Sequence, residues 1–262
     1  MARDAAANGA CDRSAARRLR KGKTGTGVLR FARIAWQTLC YGIGLLVVAL
    51  ACVQAWFYAH VLWWNTHDPS STSFMQVRLE QLRQKDRDTK LKQQWLRYER
   101  ISGQLKRAVI AAEDAKFVGH EGFDWEAIQK AMEKNERKGK VVAGASTISQ
   151  QLAKNLFLSG QRSWARKAQE AAITWMLESV MSKRRILELY LNVAEWGEGV
   201  FGAEAAARYH FGVPAQALNA HQAAWLAAIL PSPLHYTRGQ STAYLSERVA
   251  VIQGRMQHAR IP

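Results

Sequence analysis

From Ile34 to Ala59 the chain carries no charged side chain, and the run is mostly Leu, Val, Ile, Ala and aromatic residues. A helix needs about 20 consecutive apolar residues to cross the hydrocarbon of a bilayer, so this segment is long enough to span it with some tilt. Aromatic residues bracket it, Trp36 near one end and Trp56, Phe57, Tyr58, Trp63 and Trp64 near the other, as a belt at each headgroup region requires. A cleaved signal peptide would have a shorter apolar core and a small-residue exit, and neither fits. Residues 34–62 are therefore expected to form a transmembrane helix.

Charge then sets the topology. Residues 1–33 hold nine Lys or Arg against Asp4 and Asp12, among Ala, Gly and Ser with no apolar period. Composition reads this as an unstructured basic tail. Basic residues favour the cytoplasmic side, so the tail is expected inside and everything after the span outside. The whole chain has a formal charge of +16, which admits nucleic acid, a phosphate-bearing substrate or a membrane surface as partner. The span, and a tail without interleaved aromatics, argue against nucleic acid. All three cysteines, Cys11, Cys40 and Cys52, lie before or within the span. The external part therefore has no disulfide and must hold together by packing.

Residues 63–95 are polar and mixed in charge, with Pro69 and a Ser/Thr cluster, and read as a stalk. Residues 96–262 read as one folded domain of helices. Helical periodicity covers 105–117, 125–138, a segment from Ser146–Thr147 through Leu156, then 166–183, 186–196, 221–230 and 243–258. Thr147 and Gln150 have the spacing of a capping box. Residues 221–230 are apolar nearly all round and are stopped by Pro231 and Pro233, which marks a central core helix. Strand-like alternation is nearly absent, so the fold class is all-α.

Several polar groups stand out against this scaffold. Glu113 and Asp114 close an apolar helix, the end at which the helix dipole disfavours anions, and His120 follows. Gly144, Ser146, Thr147, Ser149, Gln150, Gln151, Lys154 and Asn155 gather at a helix start, where backbone donors suit an anion and Lys154 adds a point charge. Arg166 and Glu170 share a helix face, with Lys167 beside them. Lys183, Arg184 and Arg185 form a basic turn. Taken singly, these groups also fit a solvated helix end, an ordinary N-cap and surface ion pairs. The seven His show no metal-ligand spacing.

In order, EDAKFVGHEG, GASTISQQLAKN, RKAQE, KRRILELYLN and GVFGAEAA resemble the motif series of the bacterial peptidoglycan glycosyltransferases, glycosyltransferase family 51. The resemblance covers roughly residues 100–235, and GASTISQQLAKN is a long and specific string. It implies a lysozyme-like helical head with a small membrane-proximal jaw, placed near 118–145, and a flap at 141–146. It implies polymerisation of lipid II: the growing glycan leaves its undecaprenyl pyrophosphate and joins the GlcNAc 4-hydroxyl of the incoming molecule with inversion.

By the same resemblance Glu113 is the general base and Glu170 the second essential carboxylate. Lys154 and Arg166 are the matching phosphate contacts, and Ser146, Ser149, Gln150, Gln151 and Asn155 line that region. Asp114, His120, Lys167 and Lys183 belong to the substrate-binding set. No metal site is implied, although some relatives are helped by a divalent cation. The implied setting is the bacterial inner membrane with a periplasmic catalytic domain. Penicillin-binding proteins and divisome or elongation proteins are the implied protein partners, and moenomycin the implied inhibitor. The chain stops after the glycosyltransferase region, so no transpeptidase activity is expected.

Two positions depart from the family pattern: Gln222, where an acid usually precedes the Ala-Ala pair, and Tyr209-His210-Phe211, where Tyr and Phe are usually adjacent. Two other readings compete. A lysozyme-like hydrolase would leave Lys154 and Arg166 unexplained and, if retaining, would want two carboxyls about 5 Å apart. A non-catalytic scaffold of wall synthesis would make the acids structural.

Overall fold

The computed structural model describes residues 5–142, 144–158, 163–236 and 242–262, with side chains from residue 30 onward. The chain divides into two compact units, Met1–Trp56 and Phe57–Pro262. Helix α1 (Ala5–Thr66) makes up the first and runs on into the second. Its backbone is helical from Ala5, where composition alone suggests an unstructured tail; Ala, Arg and Lys are strong helix formers, and the segment adjoins an already helical stretch. Arg30–Thr66 has a hydropathy of 2.0 in its most apolar window, none of it buried, and is long and apolar enough to cross a membrane.

The second unit begins where α1 becomes a packing partner. Val61 is fully buried, and Phe57 meets Phe157 edge-on at 5.3 Å. Arg185 ties down the end of α1, donating to the carbonyls of Trp64 at 2.9 Å and His67 at 2.7 Å. The stretch 63–95, expected as a stalk, is built into this unit. Helix α2 (Ser73–Arg83) buries Met75 and Leu82, and Arg78 reaches Glu195 at 2.8 Å. Met75, Leu79 and Leu82 repeat at i, i+4, i+7, an apolar stripe hidden among polar residues. Strand β1 (Lys92–Gln93) follows.

Eight helices come next: α3 (Gly103–Glu113), α4 (Trp125–Lys138), α5 (Ile148–Phe157), α6 (Trp164–Val180), α7 (Lys183–Val193), α8 (Ala203–Phe211), α9 (Ala220–Ile229) and α10 (Ala243–Met256). Between α7 and α8, β2 (Glu195–Gly197) and β3 (Val200–Phe201) complete a three-stranded sheet of order β1-β3-β2. The fold is thus mostly helical, with this sheet as its one β element among the described residues. The expected helix over 166–183 is present and ends three residues early: α6 stops at Val180, and Ser182 accepts from the Arg185 N–H at 3.2 Å to start α7. Helix α8 lacks an obvious apolar stripe, so periodicity does not mark it. It starts at Gly202, whose φ is +83°.

The core confirms the central role of residues 221–230. Ala223 to Ile229 of α9 are all buried, and α9 packs against both α3 and α10. Small Ala side chains let these helices approach closely while Leu226 and Ile229 fill the space between. Both departures from the family pattern have local explanations. Gln222 completes a capping box with Asn219, its side chain accepting from the Asn219 N–H at 3.1 Å, a role that Gln or Glu fills equally. His210 is buried between the rings of Tyr209 and Trp225, and its Nε2 meets the Trp196 carbonyl at 2.7 Å. By contrast α4 buries no residue; Trp125 and Met132 on it are 73% and 67% exposed.

Candidate active site

Glu113 is the last residue of α3, and the backbone turns away immediately after it because Asp114 adopts a non-helical conformation. Asp114 is bracketed from two sides. Its Oδ1 lies 2.8 Å from His120 Nε2, and its Oδ2 accepts the Ile148 N–H at 3.1 Å. The second contact places a carboxylate at the start of α5, where an unsatisfied N–H and the helix dipole both favour it. Asp114 therefore fastens the chain just past Glu113 to the helix that carries Gln151, Lys154 and Asn155.

The α5 start is closed by the capping box of Thr147 and Gln150, and Thr147 also donates to the Gly122 carbonyl at 2.6 Å. Gly122 has a φ of +86°, and a Cβ there would lie 2.8 Å from Thr174 Cγ2. Only glycine lets this loop lie so close to α6. The helix begins one residue later than the first hydroxyl suggests: Ser146 is exposed and outside it, while Thr147 is the cap.

Glu113 itself is held by a neutral donor. Gln151 Nε2 donates to Glu113 Oε2 at 2.7 Å, and the Tyr190 hydroxyl donates to Gln151 Oε1 at 2.9 Å. Tyr190 thus fixes which end of the amide faces the acid. Burial pushes the Glu113 carboxyl above its usual range, opposed first by the Gln151 hydrogen bond and then by the charges of Arg248 and Lys154. The Tyr190 hydroxyl, fully buried, is pushed well above its ordinary value.

Glu170 stands differently. It is 4% exposed on α6, with Arg166 Nη1 3.3 Å from its Oε2 and Lys167 ion-paired to its other oxygen. Lys154 lies within the influence of both acids. Burial pushes its amine below the usual lysine range, and the carboxylates of Glu170 and Glu113 oppose that shift. The two carboxylates are each held by their own partners. Lys154, Asn155, Gln151, Tyr190, Arg78 and Glu195 border a cavity of about 340 Å³, the size of a small-molecule subsite.

The remaining expected residues separate from this group. Ser149 and Lys183 both engage Glu178, Lys183 at 2.7 Å, and Lys183 also lies over the Phe117 ring at 4.7 Å. Gln150 is committed to the cap. Sequence reasoning overlooked Tyr190, whose place in the apolar ILELYL run reads as core, and Glu178, which nothing in its spacing marks. It also overlooked Arg248, which lies far along the chain from every motif. No group of three or more His, Cys, Asp or Glu among the described residues could hold a metal.

The helical unit thus brings the half-buried Glu113 and the cations of α5 and α6 into one region. The chain matches the family model described as Transglycosylase over residues 78–257, and it belongs to that family. Its relatives narrow the assignment. It is 58% identical over 221 residues to the biosynthetic peptidoglycan transglycosylase of Methylobacillus flagellatus, covering 84% of this chain and 96% of that one. With the proteins of the same name from Nitrosospira multiformis and Azoarcus sp. it shares 55% and 56% identity. Those alignments cover 88% and 87% of this chain and 99% and 98% of theirs. The chain is a peptidoglycan transglycosylase of the cell-wall biosynthetic kind.

Proposed function

We propose that this enzyme polymerises lipid II, with Glu113 as the general base. The observation that carries the reading is the contrast between the two acids: Glu113 is half-buried and held by a neutral amide, whereas Glu170 is held by Arg166 and Lys167. A base needs a carboxylate whose proton affinity is raised and whose oxygen is not locked in an ion pair. Glu113 takes the proton of the GlcNAc 4-hydroxyl as that oxygen bonds to the anomeric carbon of the donor. The bond from that carbon to the undecaprenyl pyrophosphate breaks, and the leaving group carries away the electron pair with inversion at the sugar.

Charge builds on the departing pyrophosphate, and fixed cations stabilise it without reorganising. Lys154 and Arg166 supply them, and Glu170 orients both. Gln151 and Asn155 line the adjacent cavity. Asp114 and His120 position the base, and Ser149, Gln150, Lys167 and Lys183 shape the walls. Helix α1 anchors the enzyme in the inner membrane with its basic tail in the cytoplasm and the folded unit in the periplasm. The exposed Trp125 and Met132 of α4 belong to a jaw at the bilayer surface. Anchoring places enzyme and both lipid substrates in one plane.

The test is the full chain in detergent with lipid II. Long glycan strands, blocked by moenomycin, are the expected product. Cleavage of preformed glycan without synthesis would instead support a hydrolase.

A further inference from the structure

The three-stranded sheet has a cavity at each edge. In one row of the sheet Glu195, Phe201 and Gln93 lie in register, and in the next Gly197, Val200 and Lys92. Glu195 borders the cavity that holds Lys154 and Gln151. At the opposite edge Lys92 and Gln93 border a second cavity of about 490 Å³, together with Gln94, Arg208 and Tyr209. Neighbouring strands lie about 4.8 Å apart, so two spacings, about 10 Å, separate the two edges. None of these five residues belongs to the polar groups around Glu113 and Glu170.

Tyr209 stands near the end of α8, and its ring lies against the sheet where Gly197 has no side chain: a Cβ there would be 3.5 Å from Tyr209 Cε1. Lys92 Nζ is 5.2 Å from the centroid of that ring. Lys92 is exposed and makes no ion pair among the described residues. Arg208 is 56% exposed, and its Nε donates to Glu204 Oε1 at 2.7 Å. Glu204 is buried, and its other oxygen accepts the Ala215 N–H at 2.8 Å, so it fixes Arg208 at the rim. No acid borders the cavity. An aromatic ring, two amides and two cations thus share one concave surface, and the charge of Lys92 is uncompensated.

That set fits an amino-sugar polymer that carries acidic peptides. The apolar C–H face of a pyranose stacks on an aromatic ring, and amide side chains bond hydroxyls and N-acetyl groups. Lys and Arg pair with carboxylates, and a peptide joined to the sugar by its amino end keeps a free one. The polymerase reading supplies such a polymer in the growing strand. After each transfer the lengthened strand must shift by one disaccharide before it can serve as donor, and its grip in the catalytic cavity is then interrupted. We propose that the Lys92–Tyr209 cavity is a second binding site for the growing glycan strand and holds it during that shift. A strand held at a second point rebinds the catalytic cavity intramolecularly, at a high effective concentration. This rests on the polymerase reading above and adds to it a device that sets strand length.

The experiment uses the full chain in detergent with lipid II, and reads the initial rate of lipid II consumption and the length of the strands separately. Lys92 and Gln94 are both exposed, so Lys92→Glu/Gln94→Glu leaves the core intact and turns the rim acidic. Consumption should stay within about twofold of wild type while mean strand length falls by about threefold or more. Lys92→Arg should keep the wild-type length. A second measurement is the binding of lipid-free glycan strands with stem peptides to enzyme saturated with moenomycin. Wild type should bind them, and the double variant at least about tenfold more weakly. Strands of wild-type length from the double variant, or rate and length falling together, overturn the second site. Loss of lipid-free strand binding with product length unchanged assigns the cavity to finished wall and overturns its role in elongation. No glycan from lipid II with the wild-type chain overturns the polymerase reading, and the second site with it.

Discussion

Replacing Asp114 by alanine tests whether the bracket behind the base is what holds the site together. The carboxylate is 6% exposed and makes two short contacts, 2.8 Å to His120 Nε2 and 3.1 Å from the Ile148 N–H. A hydrogen bond to a charged group contributes about 1.5–3 kcal/mol. Relief of burying a charge offsets part of the loss, so Asp114→Ala should cost about 3 kcal/mol. In a domain of this size each kcal/mol shifts Tm by about 2–4 °C, which gives a fall of about 6–12 °C. Asp114→Asn keeps an acceptor for Ile148 and should lose about half as much. Thermal unfolding of the detergent-solubilised chain reads the stability, and lipid II polymerisation well below Tm reads the geometry. Because α5 carries both Gln151 and Lys154, kcat should fall by at least about tenfold even where the protein is folded. An alanine variant that melts within about 1 °C of wild type, or polymerises at the wild-type rate, would refute the bracket.

Other outcomes follow from the same geometry. Glycan synthesis should show an acid limb above the ordinary carboxylate range, because burial raises Glu113, and an alkaline limb below the ordinary lysine range, because burial lowers Lys154. Gln151→Leu removes the hydrogen bond that opposes the Glu113 shift, so the acid limb of the pH–rate profile should move further upward. Gly202→Ala would force a side chain into a φ of +83° with its Cβ 2.8 Å from the Asn192 carbonyl oxygen; denaturant unfolding should show a loss of at least about 2 kcal/mol. Gln222→Glu should leave Tm nearly unchanged, whereas Gln222→Ala opens the α9 capping box and costs about 1 kcal/mol.

Much of this arrangement is legible in the residues. The uncharged run from Ile34, the capping box at Thr147–Gln150 and the all-round apolar α9 are local patterns with local causes, and each sits where the pattern places it. What the sequence hides is long-range. The Arg78–Glu195 pair joins residues more than a hundred positions apart, so α2 reads as a solvated stalk until Glu195 is seen opposite. Ser149 and Lys183 look like anion ligands because nothing in their spacing reveals Glu178 between them. Asp114 reads as a second functional acid beside Glu113, and its contact with the Ile148 N–H joins it to a helix that no local pattern connects to it. Helix α8 escapes notice because it depends on the backbone freedom of Gly202, not on an apolar period.

If Glu113 is the proton acceptor, its desolvation is a stability cost accepted for that role. A carboxyl whose folded pKa is raised favours the folded state most when protonated, and that contribution is lost as pH rises through the folded value. The decisive measurement is Glu113→Gln in the full chain at neutral pH, read by Tm and by lipid II polymerisation on the same sample. The Tm should lie at or above wild type, with polymerisation reduced by at least about a thousandfold. Polymerisation near the wild-type rate in a folded Glu113→Gln enzyme would contradict the proton-acceptor role.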